Sequence, residues 1–382
     1  MDFALTPEQQ ALRDQVVRFA QRELNDDIPA RDRDGVFPVE LWRRCGAQGL
    51  LGLPVDGAHG GADLDSLSCA IALEALGYGC RDSGLVFSVC AHLLSCVVPI
   101  WKYGNATQRQ RWLPGLCDGS LIGVHAMSEP GSGSDAFALR TTAVTDGAGW
   151  RISGVKTFVT NGPVADVVIV FACTDAGKGF HGGVTAFVLR RDTPGLSASR
   201  SIDKMGLRTS PFGELVLEDA RAGAETVLGQ VGGGGAIFVH SMDWERACLF
   251  ASHVGTMDRL LDVSVAYART RTQFGQAIGK FQAIAHRIAD MKVRVEAARL
   301  LAYRAAWMLD RSRAVTLDAA IAKLAVSEAL VQTALDALQI HGGYGYCTEY
   351  EVERAVRDAL GSTIYSGTSE MQRQVIARWL GL

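Results

Sequence analysis

The period of the apolar residues changes twice along this 382-residue chain, and that change limits the folds it can adopt. From residue 3 to about 118, apolar residues recur at helical spacing. Between about 120 and 228 they form short runs bounded by Gly, Asp, Asn and Thr, which is typical of strands. Long amphipathic segments then return from about 236 to 380. Because helices do not alternate with strands, the pattern excludes a Rossmann fold and predicts an α+β protein.

The same changes of pattern predict three domains. We expect an N-terminal α-helical domain over residues 1–118, a middle antiparallel, barrel-like β domain over 119–229 and a C-terminal helical bundle over 230–382. Two segments of the last domain, 280–310 and 315–341, exceed the usual helix length of globular proteins. This length favours an antiparallel bundle and an oligomer interface.

Composition and charge exclude several classes of partner. The formal net charge is −3 and the pI is near 6.3, so we expect neither nucleic acid nor an anionic membrane as a partner. The N-terminus lacks a basic start followed by an apolar run, and no stretch reaches about 20 uninterrupted apolar residues, so a cytoplasmic location is predicted. The nine cysteines and eight histidines lack metal-ligand spacing, which predicts no metal site.

One loop is rich in groups that can hold a cofactor. The segment from Ala126 to Ala138, AMSEPGSGSDAFA, follows a predicted strand and would expose backbone N–H groups and hydroxyls. Spacing alone leaves an ordinary loop as the alternative. In the same way, Arg271 could be a solvated charge at a helix end, and Phe158 and Phe274 could be core residues.

That loop and a second segment, QIHGGYGYCTEYEVERAVRD at 339–358, resemble the two signatures of the acyl-CoA dehydrogenase family. The segments TFVTNGP at 157–163, RTRTQFGQAIGKFQ at 269–282 and IYSGTSEMQRQ at 364–374 occur in the family's order, so the resemblance covers essentially the whole chain. It implies an N-terminal helical domain, a middle β domain and a C-terminal four-helix domain, usually in a homotetramer. It also implies FAD as the cofactor.

The resemblance assigns flavin contacts to particular positions. Phe158 stands where many members have a tryptophan beside the flavin ring, and Thr160 stands where a hydroxyl donates to flavin N5. A neighbouring subunit would bring Arg271, Gln273 and Phe274 to the diphosphate half of FAD. The remaining implied FAD contacts are His125, Met127, Ser128, Ser134, Gln282, Gln339, Gly342, Gly343, Thr368 and Glu370.

The family's reaction removes an α-proton with a carboxylate while the β-hydrogen leaves as hydride. In many members that glutamate lies in the C-terminal loop, where this chain has Ser366, whose hydroxyl cannot serve as the base. Other members place it on a helix one residue before an arginine, which here is Glu245 before Arg246. The alternative is that Glu245 is a helix-surface acid paired with Arg246 or another basic side chain. The backbone N–H of Ser366 is expected to bind the thioester carbonyl, and the implied substrate contacts are Ser134, Asp243, Arg246, Ser366 and Gly367.

The segments MDWERACLF, TFVTNGPVAD and IYSGTSEMQ also resemble a subgroup that oxidises prolyl groups on carrier proteins to pyrrole-2-carboxyl thioesters. The predicted partner is then a carrier protein with a phosphopantetheine-linked substrate. One alternative is a short- or branched-chain acyl-CoA dehydrogenase that acts on an acyl-CoA. The other is a catalytically inactive flavin-binding scaffold. The electron acceptor would be an electron-transferring flavoprotein or oxygen.

Overall fold

The computed structural model describes residues 3–311 and 315–382. Its first part is entirely helical. Thr6 and Gln9 form a capping box at the first helix, and Pro7 occupies its first turn, where a missing N–H costs nothing. The helices of this part are α1 (Pro7–Glu23), α2 (Ile28–Asp34), α3 (Val39–Ala47), α4 (Ser66–Gly79), α5 (Ser83–His92), α6 (Val98–Tyr103) and α7 (Ala106–Asp118).

A mixed sheet follows, with strand order β6-β7-β3-β2-β4-β5-β8. The strands are β1 (Gly123–Ala126), β2 (Thr142–Asp146), β3 (Gly149–Thr160), β4 (Val167–Cys173), β5 (Val184–Arg190), β6 (Leu196–Ala198), β7 (Phe212–Gly223) and β8 (Val227–Leu228). Most neighbours are antiparallel, as the sequence predicts, but β1 lies parallel to β4 and β2 meets β4 in parallel at one residue pair. The residues of β4 are apolar on both faces because one face packs on the helices and the other on a second core inside the sheet.

Helices return after the sheet and form the third part. They are α8 (Gly234–Trp244), α9 (Phe250–Thr270), α10 (Gln282–Leu309), α11 (Thr316–His341), α12 (Val352–Gly361) and α13 (Ser369–Trp379), with a hairpin of β9 (Thr272–Gln273) and β10 (Gln276–Ala277) after α9. The backbones of α4 and α9 approach closely, since a Cβ on Gly77 would lie 1.9 Å from the carbonyl oxygen of Ser252. This contact joins the first and third parts in one core.

Two five-residue π-helical turns interrupt long helices. The first, π1 (Leu93–Val97), continues α5 into α6, and the second, π2 (Glu245–Leu249), continues α8 into α9. Each π turn inserts a residue into the α-helical hydrogen-bond ladder, and such turns occur frequently at functional sites. The two turns contact each other in the core.

Among the described residues, the helix Ser83–Tyr103, which contains π1, is long and apolar enough to cross a membrane by length and composition. However, 89% of its most apolar window is buried inside the protein. Its polar side chains also have internal partners: Ser88 donates to Ser210 at 2.8 Å, and His92 accepts the Gly123 N–H at 2.8 Å. The helix is therefore a core element of the fold.

Candidate active site

The contact between the two π turns places a carboxylate in the core. Glu245, the first residue of π2, is only 8% exposed. One carboxylate oxygen accepts a hydrogen bond from the Ser95 hydroxyl of π1 at 2.6 Å, and the other accepts one from the Ser366 hydroxyl. Both oxygens of a buried acid therefore have donors, which fixes the orientation of the carboxylate.

Arg246, the next residue, holds the turn that carries Ser366. Its Nε donates to the Ser366 carbonyl at 3.0 Å, and burial lowers the pKa of Arg246. The Gln372 side chain donates to the carbonyls of Ser366 and Gly367 at 3.2 and 2.9 Å. Ser366 and Gly367 have φ of +57° and +87°, in the left-handed region. The surface pairing of Glu245 with Arg246 does not fit this geometry.

Two implied substrate contacts lie outside this cluster. Asp243 is buried at the end of α8, where it accepts a hydrogen bond from Thr316 at 2.9 Å. Burial raises the pKa of Asp243, although Thr316 and Arg246 oppose that shift. Ser134 lies on the exposed part of the loop after β1. The structure thus groups Glu245, Arg246, Ser366 and Gly367, with Asp243 two residues before Glu245 on the same helical segment.

A buried ion pair anchors the loop after β1 to the sheet, and the sequence does not reveal it. The Lys156 ammonium lies 2.8 Å from a Glu129 carboxylate oxygen and 3.0 Å from the Met127 carbonyl. Glu129 also accepts the backbone N–H groups of Arg140 and Thr141. Burial lowers the pKa of Lys156 to about 8, while Glu129 opposes that shift. This pair holds both ends of the loop.

The residues that the resemblance places at the flavin ring lie beside the Lys156–Glu129 ion pair. Phe158 sits at a register shift between β3 and β7, has φ of +59° and is 62% exposed, so it is not a core residue. Its ring stacks on Phe212 at 5.7 Å, and Thr160 is half-buried at the end of β3. A non-glycine residue held at a positive φ is strained, and residues with such strain occur often at ligand sites.

His125 and its neighbours line the helix side of the same loop. The His125 ring stacks on Phe238 of α8 at 5.7 Å, and its buried Nε2 has no hydrogen-bond partner in residues 3–311 and 315–382. Burial lowers the pKa of His125 to about 3, so the ring is neutral. Met127 is buried and Ser128 half-buried. An exposed Phe158 and an unpartnered imidazole nitrogen near one loop fit a planar aromatic group with polar edges.

The residues assigned to the diphosphate half lie on the surface of the third part. Gln273 and Phe274 are exposed on the β9–β10 hairpin, Phe274 by 93%, so Phe274 is not a core residue in this chain. The Arg271 guanidinium lies 5.3 Å from the centroid of the Tyr344 ring, which joins the hairpin to the segment after α11. The other assigned residues there, all exposed, are Gln282, Gln339, Gly342 and Gly343. A Cβ on either glycine would meet no atom within 4 Å, so this backbone is open to a ligand.

The last two assigned residues begin α13. Thr368 is the N-cap and accepts the Met371 N–H, and Glu370 is exposed in the first turn. Three further residues of the site were missed from the sequence: Ser95, Lys156 and Gln372. Each is polar within a segment that is otherwise typical of a core helix, strand or surface helix, and only the fold brings it to its partner.

With this geometry established, comparisons with known proteins identify the class. The chain matches the N-terminal, middle and C-terminal domain models of acyl-CoA dehydrogenases over residues 6–120, 125–220 and 232–381. It therefore belongs to the acyl-CoA dehydrogenase family. The predictions of family and fold class are confirmed.

Similarity to individual relatives is more specific than the match to the family. An L-prolyl-[peptidyl-carrier protein] dehydrogenase of Serratia sp. is 41% identical over 382 residues, covering 100% of this chain and 99% of the relative. The crystal structure of the prolyl acyl carrier protein oxidase AnaB has a TM-score of 0.97 at 46% identity, covering 99% and 100% of the two chains. The structure of PigA with FAD and proline has a TM-score of 0.97 at 41% identity, covering 100% of both chains.

The two hydroxyls on Glu245 lead to a prediction. We expect Ser95→Ala and Ser366→Ala each to slow flavin reduction by roughly tenfold, because a hydrogen bond to a charged group contributes about 1.5–3 kcal/mol and orients the carboxylate. The matched control is Ser88→Ala on the same helix, whose hydroxyl bonds to Ser210 instead. Rapid-mixing absorbance of the flavin measures the rates. A wild-type rate in both site variants would show that the hydroxyls do not position Glu245.

Proposed function

We propose that this chain is an FAD-dependent dehydrogenase that oxidises the Cα–Cβ bond of an L-prolyl thioester on a carrier protein. The observation that carries the proposal is the buried Glu245 carboxylate, oriented by Ser95 and Ser366 beside a turn fixed by Arg246. The activities of the Serratia relative and of AnaB, both on a prolyl group bound to a carrier protein, support this substrate. Further oxidation would give the pyrrole-2-carboxyl thioester.

The chain's own residues account for the proton transfer. Glu245 would take the α-proton, and its burial keeps bulk water from competing for the carboxylate. The negative charge that develops on the thioester oxygen would be met by the backbone N–H of Ser366, on the turn that Arg246 and Gln372 hold. Bound FAD supplies the acceptor for the β-hydride.

FAD binding is supported by the PigA complexes and by the geometry of the chain. The loop after β1 and Phe158 would hold the flavin, and Arg271 with the open backbone at Gly342 and Gly343 would hold the diphosphate. The Phe274 ring, 93% exposed, has the character of a residue that completes a site in another subunit.

A homotetramer is part of the proposal. Along α10, Val293, Leu300 and Trp307 are 68, 53 and 43% exposed at a spacing of seven residues, which places them on one face. An apolar face of this kind supports burial against another copy of the chain. We also propose a cytoplasmic location, and an electron-transferring flavoprotein or oxygen as the acceptor.

Mass spectrometry of a carrier protein tests the substrate directly. The FAD-loaded protein is incubated with a prolyl-loaded carrier protein and, separately, with short- and branched-chain acyl-CoAs. We expect the prolyl group to lose hydrogens in pairs while the CoA esters stay unchanged. Oxidation of the CoA esters alone would contradict the carrier-protein substrate, and loss of hydrogens from neither would favour an inactive scaffold.

A further inference from the structure

The helical core contains a buried lysine that the reaction described above does not use. Lys323 of α11 is fully buried, and its ammonium has no hydrogen-bond partner in the described part of the chain. The ammonium lies 5.6 Å from the centroid of the Phe250 ring, at the start of α9. An unpaired charge in a core costs free energy, so its retention needs a reason.

Two further unpartnered polar atoms lie on the helix that packs against α11. Arg373 of α13 pairs with Glu328 of α11, and Glu370 of α13 interacts electrostatically with Lys323 of α11, so the two packed helices run in the same direction. Ser369, next to Glu370, therefore lies in the part of the interface that holds Lys323. The Ser369 hydroxyl and the Gln372 side-chain oxygen are buried and likewise unpartnered within residues 3–311 and 315–382. A donor, an acceptor and a hydroxyl thus share one interface.

Gln372 connects this interface to the active site. Its amide nitrogen already donates to the carbonyls of Ser366 and Gly367, and its oxygen is buried and has no partner in the described part of the chain. A buried water with three polar partners can bridge such groups. If the Lys323 ammonium bound that oxygen through such a water, it would hold the Gln372 amide in place. The amide would in turn hold the Ser366–Gly367 turn.

We propose that Lys323 is a positioning residue for the Ser366–Gly367 turn, joined to Gln372 and Ser369 through one internal water, an inference that rests on the proposed role of Glu245. Lys323 also adds a second positive charge near the Glu245 carboxylate, beside Arg246. Burial is the main cause that lowers the pKa of Lys323 to about 8, and Arg246 adds to it, so the ammonium is charged at neutral pH.

The variant Lys323→Met removes the charge and keeps an unbranched side chain. We expect a Tm close to that of the wild-type protein, because loss of the water-mediated hydrogen bonds and removal of the cost of burying a charge oppose each other. Flavin reduction should be at least roughly tenfold slower. The matched variant Gln372→Met breaks the same link at its other end and should also slow reduction. The double variant Lys323→Met/Gln372→Met should be no slower than the slower single variant, because the two residues act through one link.

The possible results distinguish failure of the role of Lys323 from failure of the proposed function. Reduction by Lys323→Met at the wild-type rate would overturn the inference alone, and so would a double variant in which the two single effects multiply. So would a lower Tm with a wild-type rate in the folded, FAD-loaded fraction, which would mark a structural lysine. If the wild-type protein reduces its flavin with neither prolyl-carrier protein nor butyryl-CoA, the proposed function itself is contradicted.

Discussion

Replacing Glu245 with glutamine is expected to slow flavin reduction by a thiol ester by at least about 10³-fold while leaving FAD bound. Glutamine keeps the shape of the side chain, and its carbonyl oxygen can accept one of the two serine hydroxyls while its NH2 group donates to the other. It cannot take a proton at neutral pH. Loss of the absorbance of oxidised flavin after rapid mixing measures the rate.

Its control is an acid of the same size that lies outside the site. Glu218 is exposed on β7, so Glu218→Gln should keep the wild-type rate. Wild-type reduction by Glu245→Gln, with FAD content confirmed by its absorbance, would remove Glu245 from the reaction and require another base.

Removing Lys156 should have the largest effect on stability. In Lys156→Met the Glu129 carboxylate, 4% exposed, keeps its two backbone donors but loses its counter-charge. Leaving one partner of a buried ion pair alone typically costs about 3–5 kcal/mol. Because the pair anchors the loop after β1, we also expect weaker retention of FAD. Urea unfolding followed by circular dichroism measures the free energy of unfolding.

A surface ion pair provides the matched control for Lys156. Lys178 contacts Asp175 at 3.1 Å with both side chains largely in solvent, so Lys178→Met should unfold at the wild-type urea concentration. The double variant Lys156→Met/Glu129→Gln should recover part of the loss, since no unpaired charge remains. Equal stability of Lys156→Met and the wild-type protein would show that the ion pair does not anchor the loop.

The order of helical and strand regions was predictable because burial of one face of an element sets the period of its apolar residues. The parallel pairing of β1 with β4 was not, because a four-residue strand carries no signal of its partner. The two π turns were also missed, since a residue inserted into a helix leaves no distinct pattern. They matter because they bring Ser95 and Glu245, 150 residues apart in the chain, into contact.

The family resemblance predicted which acid is the base, and the structure shows which side chains contact it. Glu245 was predicted from its place before Arg246, whereas Ser366 was expected to contribute only its backbone N–H. The structure places its hydroxyl on the Glu245 carboxylate. Contacts of this kind depend on the left-handed backbone of the turn, which the residue types around a serine do not specify. The roles of the assigned FAD and substrate contacts stay predictions.

A crystal structure of the protein with FAD and a non-hydrolysable prolyl pantetheine thioether would test the central claim most directly. The account predicts a Glu245 carboxylate oxygen about 3–3.5 Å from the α-carbon of the prolyl group, on the side opposite the flavin ring. A prolyl group bound beside the flavin with the Glu245 carboxylate turned away from it, or another acid at that distance, would contradict the account.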